Sequence, residues 1–579
     1  NTQVGKLALK LTLETTQPLA NVYCPSHAVE IKKHGDHKAV IGYESDQLGE
    51  GDLKVYYSAE KPEGAVGLTL FTYRDGHADV LGSEDGYFML LASPVLSAER
   101  KPTPKDVVFV LDTSGSMQGE KLAQAKKALR FCIENLNDDD RFQIVRFSTD
   151  AETLFDGLKP ADDEHRGKAN GFVDGLKPIG GTAIEEALTK AIEPTTQRDS
   201  KRPYYVIFLT DGRPTIGETD TDRILHNAIT RFKAENKVRV FCFGIGTDIN
   251  TKLLDKITET TRAVTEYVLP DEDIEIKVSR FYTKINEPVL ANPTLAVTGD
   301  IKLQKTYPKS LPDLFAGDQL VVIGRYAGHG DAAVTLAGTV AGGEHKVVDD
   351  AAFAKQSIEH AFIPRLWATR RIGYLLDEIR LQGESGELKE EVVALARAFG
   401  VVTPYTSYLI VEDEALRNVP VAARTMQEMN DDGARRARAG AAYREMAQAE
   451  AGEASVRGAQ SNASLKSAAN APAADQARIY AKRSADALDH ANMDYDSATP
   501  LTQQSLYRNG KTFVLNGAQW VDTEAQTQRA QELKVERVAF NSDRYFEIVR
   551  ENTDVAQWVS VGQNVQLVLA DRMVEVYAE

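Results

Sequence analysis

The chain has 579 residues, of which 42% are hydrophobic and 26% charged, and its formal net charge is −17 at pH 7. This is the composition of an ordinary globular protein, and the length indicates about three or four domains. An acidic surface repels phosphate backbones, so nucleic acid is not an expected partner. No apolar run reaches the roughly 18 residues of a membrane span, and the three separated cysteines predict no disulfide framework.

Residues 1–103 have β character. Apolar and polar residues alternate over 7–13, a short strand is indicated at 53–57, and 87–91 form a more continuous apolar strand. A complete β fold would need more strands than these three. We therefore interpret the segment as part of a β domain.

Residues 104–287 change to alternating strands and helices. The unbroken apolar run at 107–111 is typical of a parallel strand covered on both faces. The pattern predicts an open, doubly wound α/β sheet. Its further strands are expected at 142–147 (nearer an edge), 204–209 and 238–243, and two of its helices at 122–136 and 274–285.

The remaining chain is expected to form three more segments. Residues 288–413 combine β structure, clearest at 320–326, with helices over 361–399 and a last strand at 406–411. Residues 414–500 are rich in Ala with few large apolar groups, which predicts a linker. Residues 501–579 indicate a small α+β module, with a hairpin turning at Asn516 and Gly517 and a helix capped by Ser542.

One motif carries recognisable chemistry. Asp112, Ser114 and Ser116 stand at alternate positions directly after the strand at 107–111. Thr182 follows a Gly-Gly pair, and Asp211 ends the strand at 204–209. Ligands of doubly wound sheets bind at the carboxyl ends of the strands, so these oxygens are expected to meet there. An all-oxygen set suits Mg²⁺, with Mn²⁺ and Ca²⁺ as alternatives, and disfavours zinc.

Such a cation would remain electron-poor because few protein charges surround it. A partner protein could therefore add an Asp or Glu carboxylate at an open coordination position. The alternative is that Asp112 and the serines only cap the first helix. We favour metal binding because three separate elements follow the correct strands in the correct order.

Residues 104–287 resemble a von Willebrand factor A domain with a complete metal-ion-dependent adhesion site. The resemblance implies that Ser114 and Ser116 ligate the metal directly. It also implies that Asp112 and Asp211 act directly or through water, and that Thr182 joins when a ligand is bound. Ala183 departs from the pattern, since many relatives have Asn there.

The flanks extend the likeness over about residues 1–413. The stretch from 23–27 through 84–88 resembles the C-terminal half of a VIT domain, and 281–285, 366–368 and 402–407 resemble the regions that follow the A domain. This is the arrangement of inter-alpha-trypsin inhibitor heavy chains and their bacterial relatives. The closing module resembles tails of bacterial members. The Asp-Pro-His-Phe type of motif for attachment to hyaluronan is absent, so that activity is not implied.

If the resemblance to a VIT domain holds, we expect that the first half of that domain is missing ahead of Asn1. One hypothesis is that proteolysis separates the chain there and that the removed fragment stays bound through unpaired sheet edges. Mass spectrometry of the native protein would detect such a fragment.

Two functions are consistent with these features. The first is a non-enzymatic, cation-dependent adhesion or protein-binding protein, which the resemblance places outside the cell, on its surface or in the periplasm. The alternative is a self-assembling subunit of an extracellular fibre, matrix or envelope complex, in which copies of the chain bind each other. An enzyme is not predicted, because no general base or nucleophile stands in a catalytic arrangement.

Overall fold

The computed structural model divides the chain into two compact units. The first contains residues 1–71, 88–353 and 450–456, and the second contains 72–87, 354–449 and 457–579. The residues that the structure describes are 7–45, 53–59, 66–76, 81–94, 103–194, 202–234, 238–340, 343–401, 406, 440–441, 443–445, 447–470, 505–508, 511–516, 519–526, 533–551, 553–569 and 572–578.

The N-terminal β region has more strands than the sequence indicated. Its seven strands are β1 (Leu7–Glu14), β2 (Leu19–Tyr23), β3 (Glu30–Lys33), β4 (Lys38–Ser45), β5 (Tyr56–Ala59), β6 (Val66–Tyr73) and β7 (Gly86–Pro94). Strands β1, β4 and β3 form one antiparallel sheet, and β2 pairs with β5. Two of the four additional strands were difficult to recognise, because β2 is buried without alternation and β3 has only four residues.

A seven-stranded sheet forms the centre of the first unit, in the order β10-β9-β8-β12-β13-β14 with β11 also on β9. Strands β9, β8, β12, β13 and β14 are parallel, which confirms the predicted doubly wound α/β fold. The strands are β8 (Asp106–Asp112), β9 (Arg141–Phe147), β10 (Ala151–Thr153), β11 (Lys159–Pro160), β12 (Tyr204–Thr210), β13 (Val238–Ile245) and β14 (Thr265–Val268).

Helices cover both faces of this sheet. Phe109 and its same-face neighbours pack against α1 and α6, while Val108 and Val110 pack against α3 and α5 on the other face. This explains the unbroken apolar run of β8, in which alternate side chains enter opposite cores. The helices are α1 (Glu120–Glu134), α2 (Asp163–Gly175), α3 (Ile184–Ile192), α4 (Thr221–Ala234), α5 (Thr251–Thr260) and α6 (Ile274–Ile285).

Residues 288–353 continue the first unit as β structure. Strands β15 and β17 with the long hairpin β19–β20 form one sheet, whereas β16 and β18 join β7 and β6 in another. The strands are β15 (Pro288–Val297), β16 (Lys302–Tyr307), β17 (Leu314–Phe315), β18 (Leu320–Ala327), β19 (Gly330–Val340) and β20 (Gly343–Phe353). A buried ion pair, in which Arg239 of β13 donates to Asp313 at 2.8 Å, ties this region to the parallel sheet.

The Ala-rich segment differs in part from the predicted linker. Its described residues include α9 (Glu453–Lys466), whose Leu465 is buried in the second unit. That unit also contains α7 (Phe362–Gln382) and α8 (Gly386–Phe399). A Cβ on Gly373 of α7 would lie 2.7 Å from the Cβ of Leu465, so the two helices approach closely. Because Gly373 has no side chain, α7 and α9 can pack closely at this point.

The C-terminal module is a six-stranded sheet in the order β21-β22-β23-β25-β26-β24, with helices α10 (Asp543–Glu551) and α11 (Thr553–Val559). Its strands are β21 (Ser505–Arg508), β22 (Lys511–Asn516), β23 (Gln519–Asp522), β24 (Lys534–Ala539), β25 (Val565–Val568) and β26 (Arg572–Tyr577). The predicted β22–β23 hairpin is confirmed, although Asn516 pairs with Gln519 and belongs to β22 and not to the turn. Ser542 caps α10 by accepting a hydrogen bond from the Tyr545 N–H.

Two further predictions from the sequence concern a strand at 406–411 and the absence of membrane-spanning segments. The strand expected at 406–411 lies outside the described residues apart from Thr406. In the described parts of the chain, no helix is both long and apolar enough to cross a membrane.

Candidate metal centre

The ends of two neighbouring parallel strands bring the predicted carboxylates together. Asp112 is the last residue of β8, and Asp211 directly follows β12. Leu111 and Leu209 are in register across these strands, so both Asp residues emerge at the same edge of the sheet. The short 3₁₀ turn Gly115–Met117 follows β8 and carries Ser116.

Asp112 is fully buried, and protein donors occupy both of its carboxylate oxygens. Its Oδ1 accepts from the Ser114 backbone N–H at 2.8 Å, and its Oδ2 accepts from the Thr210 hydroxyl at 2.6 Å. Burial raises the pKa of Asp112 to about 6, although hydrogen bonds from Thr210 and Ser114 oppose that effect. Nearby Asp211 raises the pKa further. A cation at this edge would offset the cost of two adjacent negative charges.

Three of the predicted oxygens are linked by two contacts, both of which involve the Ser116 hydroxyl. The hydroxyl oxygens of Ser114 and Ser116 are 3.1 Å apart, and Ser116 donates to Oδ1 of Asp211 at 2.7 Å. Octahedral Mg²⁺ holds its oxygens at about 2.0–2.1 Å, which separates adjacent ligand atoms by about 2.9 Å. The three oxygens therefore have the spacing of neighbouring ligands of one small cation, and the residues fit such a metal.

Thr182 lies on a third loop of the same edge. Its buried hydroxyl oxygen is 3.4 Å from the position that a Cβ on Gly212 would take, and the Ser116 hydroxyl is 4.0 Å from that position. The Gly115 N–H donates to the Gly180 carbonyl at 3.0 Å, which ties the Thr182 loop to the Asp112 loop. The structure thus brings all five predicted residues to one edge.

Ala183, the departure from the adhesion-site pattern, does not leave the Thr182 loop unsupported. The Ala183 N–H donates to the Ser148 carbonyl at 2.8 Å, and the Thr182 N–H donates to the Thr215 hydroxyl at 2.8 Å. The loop is therefore positioned mainly by backbone contacts, and an Asn side chain is not required for them.

Lys121 was missed by the sequence reasoning. It lies in the first turn of α1, and its ammonium is 2.6 Å from Oδ2 of Asp211 and 3.5 Å from the Ser116 carbonyl. The available signal was its position nine residues after Asp112, which a surface lysine on a helix would share. Thr210 was also missed, although it directly precedes Asp211.

Hydroxyl oxygens are essential to any metal site here. Within the described ranges, no three His, Cys, Asp or Glu side chains group together in a way that would hold a metal ion. Asp112 and Asp211 provide only two carboxylates, so Ser114, Ser116 and Thr182 would have to complete the protein ligands. Such a set is selective for hard cations because it contains no nitrogen or sulfur.

The comparisons with known proteins agree with this fold. Residues 105–265 match the family model of the von Willebrand factor type A domain. Human inter-alpha-trypsin inhibitor heavy chain H4 is 29% identical over 363 residues, covering 59% of this chain and 38% of the relative. Pig heavy chain H2 is 27% identical over 398 residues, covering 64% and 40%. The chain thus spans about two fifths of the length of these relatives.

Two solved structures are among those that match parts of this chain. A von Willebrand factor type A protein from Catenulispora acidiphila is 18% identical, with a TM-score of 0.45, over 61% of this chain and 91% of that chain. Proximal thread matrix protein 1 from the mussel byssus, with a zinc-occupied MIDAS motif, is 24% identical, with a TM-score of 0.26, over 31% and 44%.

Residues 105–265 therefore form a von Willebrand factor type A domain. More particularly, the chain that carries this domain is similar to inter-alpha-trypsin inhibitor heavy chains, which confirms the resemblance read from the sequence.

Proposed function

We propose that this chain is a non-enzymatic adhesion or protein-binding protein that holds a divalent cation, preferably Mg²⁺, at the edge formed by Asp112, Asp211 and their neighbouring hydroxyls. The contact spacing of the Ser114, Ser116 and Asp211 oxygens carries this proposal. The cation would accept an Asp or Glu carboxylate of a partner protein at an open coordination position. We place this activity outside the cell, on its surface or in the periplasm, by analogy with the heavy chains.

Three hydroxyl groups make this chemistry suitable for capturing an anion. Ser114, Ser116 and Thr182 would donate lone pairs without adding negative charge, so the bound cation would keep much of its own charge. Ser116 is exposed while Asp112 and Asp211 are buried, which leaves the approach to the cation on the solvent side. A carboxylate arriving there would meet an incompletely neutralised dication.

The first prediction concerns the metal. Replacing Asp112 by Ala should weaken Mn²⁺ binding by more than about tenfold, because removing a group from a metal site costs at least this much. Electron paramagnetic resonance of free Mn²⁺ during titration of the full chain measures this. Asp138→Ala is the control, since Asp138 is fully exposed in the loop before β9, at the opposite edge of the sheet.

The second test of the proposed function identifies the partner protein by pull-down from the native source. Pull-downs with the full chain, with Mg²⁺ and with EDTA, are analysed by mass spectrometry, and Asp112→Ala is run beside Asp138→Ala. Proteins retained only with Mg²⁺ and lost with Asp112→Ala support the proposal. Mn²⁺ binding that is unchanged by Asp112→Ala would refute it.

An exposed edge strand favours self-assembly as a second candidate function. Leu9 and Leu11 of β1 are 37% and 41% exposed, and β1 lies at the edge of the β1-β4-β3 sheet. Exposed apolar edge strands can pair with strands of another chain. Other copies of this chain would be suitable partners for that edge.

A further inference from the structure

The ammonium group of Lys121 lies within the proposed metal site. It is 2.6 Å from Oδ2 of Asp211, whose side chain is fully buried, while the lysine side chain is 42% exposed. We propose that Lys121 tunes this site: it competes with the cation for Asp211 and, once the cation is bound, keeps the site attractive to a partner carboxylate. This inference rests on the proposed function, because it requires a cation at the same edge.

The helix dipole does not favour a lysine at position 121. Lys121 lies in the first turn of α1, where the helix dipole favours negative side chains and disfavours positive ones. Glu120 beside it follows that preference. The interaction that compensates the lysine is therefore the one with Asp211, which comes from a different strand.

Lys121 is also a donor that a cation reaching Oδ2 of Asp211 would have to displace. The two oxygens of Asp211 accept from the Ser116 hydroxyl and from Lys121, respectively. A hydroxyl that donates to a carboxylate still has lone pairs for a metal, whereas an ammonium has none. A cation that binds Oδ2 of Asp211 therefore excludes the ammonium from that oxygen. The long, partly exposed lysine side chain can move toward water.

The formal charges show how one lysine acts on two binding steps. Asp112, Asp211 and Lys121 together carry −1, so the site with a dication carries +1. Without the lysine charge, the site would carry −2 when empty of metal and 0 with it. Arg213 changes this little, because it pairs with Asp248 at 2.6 Å. Lys121 should therefore weaken cation binding and strengthen the subsequent binding of a carboxylate.

The first measurement is Mn²⁺ affinity of the full chain by electron paramagnetic resonance. Lys121→Met should bind Mn²⁺ about tenfold more tightly, because a positive charge a few ångströms from the dication is removed. Lys121→Arg keeps the charge and should remain within about twofold to threefold of the wild type. Lys127→Met is the matched control, since Lys127 is on the same helix but pairs at 3.7 Å with exposed Glu275.

The second measurement uses acetate as the carboxylate probe. Acetate that replaces water on bound Mn²⁺ lowers the water-proton relaxation rate, and Lys121→Met should need several-fold more acetate for the same decrease. Lys121→Gln repeats both measurements with a second neutral side chain, and circular dichroism checks that each variant is folded.

The outcomes separate the two proposals. Tighter Mn²⁺ binding together with weaker acetate binding in both neutral variants supports the role of Lys121. Mn²⁺ affinity that is unchanged or reduced in Lys121→Met, while the wild type binds Mn²⁺, overturns this inference and leaves the proposed function standing. Failure of the wild type and of every variant to bind Mn²⁺ overturns both.

Discussion

At the scale of single residues, the edge of the sheet concentrates polar groups that are costly to bury. Asp112 is buried, and its charge depends on donors from Thr210 and Ser114. Removing one donor leaves a buried acceptor unsatisfied, which costs more than the hydrogen bond contributes on average. Thr210 therefore stabilises the site without being one of its predicted ligands.

We predict that Thr210→Val lowers the free energy of unfolding of the A domain by about 1–3 kcal/mol, since valine has the same shape but no hydroxyl. Thr210→Ser keeps the donor and should lose clearly less. Urea unfolding of the metal-free chain, followed by near-ultraviolet circular dichroism, measures both variants. Equal losses for Val and Ser would show that packing, and not the hydrogen bond to Asp112, dominates at this position.

The sequence predicted Asp112 and Asp211 because both directly follow long apolar strands. A strand that is buried on both faces is identifiable from its residues alone, and so is the polar residue that ends it. Lys121 could not be predicted in this way. A lysine in an amphipathic helix usually faces solvent, and its contact with Asp211 depends on how α1 packs beside β12.

At the scale of elements, close helix packing changed the interpretation of the Ala-rich segment. Gly373 of α7 lets Leu465 and the backbone of Lys466 approach, with a built Cβ only 2.7 Å from each. Asp377 of α7 adds an ion pair with Lys466 at 2.6 Å. Burial raises the pKa of Asp377, but the positive charges of Lys466 and Arg380 outweigh it and hold that pKa well below its usual range.

We predict that Gly373→Ala loosens α9, with a cost of about 1–3 kcal/mol from the added methyl group in a tightly packed contact. Hydrogen exchange of the α9 amides measures the local effect. Gly171→Ala is the matched control, because Gly171 is also helical and has open space around a Cβ. The control should leave exchange in α9 unchanged and stabilise α2 slightly. Unchanged exchange in Gly373→Ala would contradict the packing argument.

The Ala-rich composition alone could not reveal this arrangement. Few large side chains normally mean little buried apolar area, which favours a linker. Here Leu465 of the Ala-rich segment is buried, and Gly373 of the partner helix allows the close approach. Such a contact is set by the shape of two helices that are distant in sequence, so it becomes visible only in the fold.

At the scale of the whole molecule, the exposed β1 edge bears on whether the chain acts alone or as an assembly. Leu9 pairs with Tyr43 and Leu11 with Ile41 across β1 and β4, so one side of β1 is already used. The other side is unpaired in the order β1-β4-β3 among the strands that the structure describes. A strand from a second chain could add there.

If self-assembly uses this edge, we predict that Leu11→Lys reduces the apparent mass of the full chain in size-exclusion chromatography with light scattering. A charged side chain on an exposed edge strand opposes pairing with another strand. Ile276→Lys is the control, because Ile276 is also an exposed apolar residue but lies on helix α6. A monomeric wild type at high concentration, or equal masses for wild type and Leu11→Lys, would count against the second candidate function.

The buried pair of Arg239 and Asp313 also bears on how this protein can be divided. The periodic pattern of strands and helices ends near residue 287, yet the counter-charge of Arg239 lies beyond that point. A fragment cut at 287 would retain a guanidinium inside the protein with its carboxylate removed. A recombinant A domain should therefore include the β structure up to Phe353. The same holds when the domain is transferred into another protein. The segment that keeps this ion pair intact is therefore longer than the recognisable pattern of strands and helices.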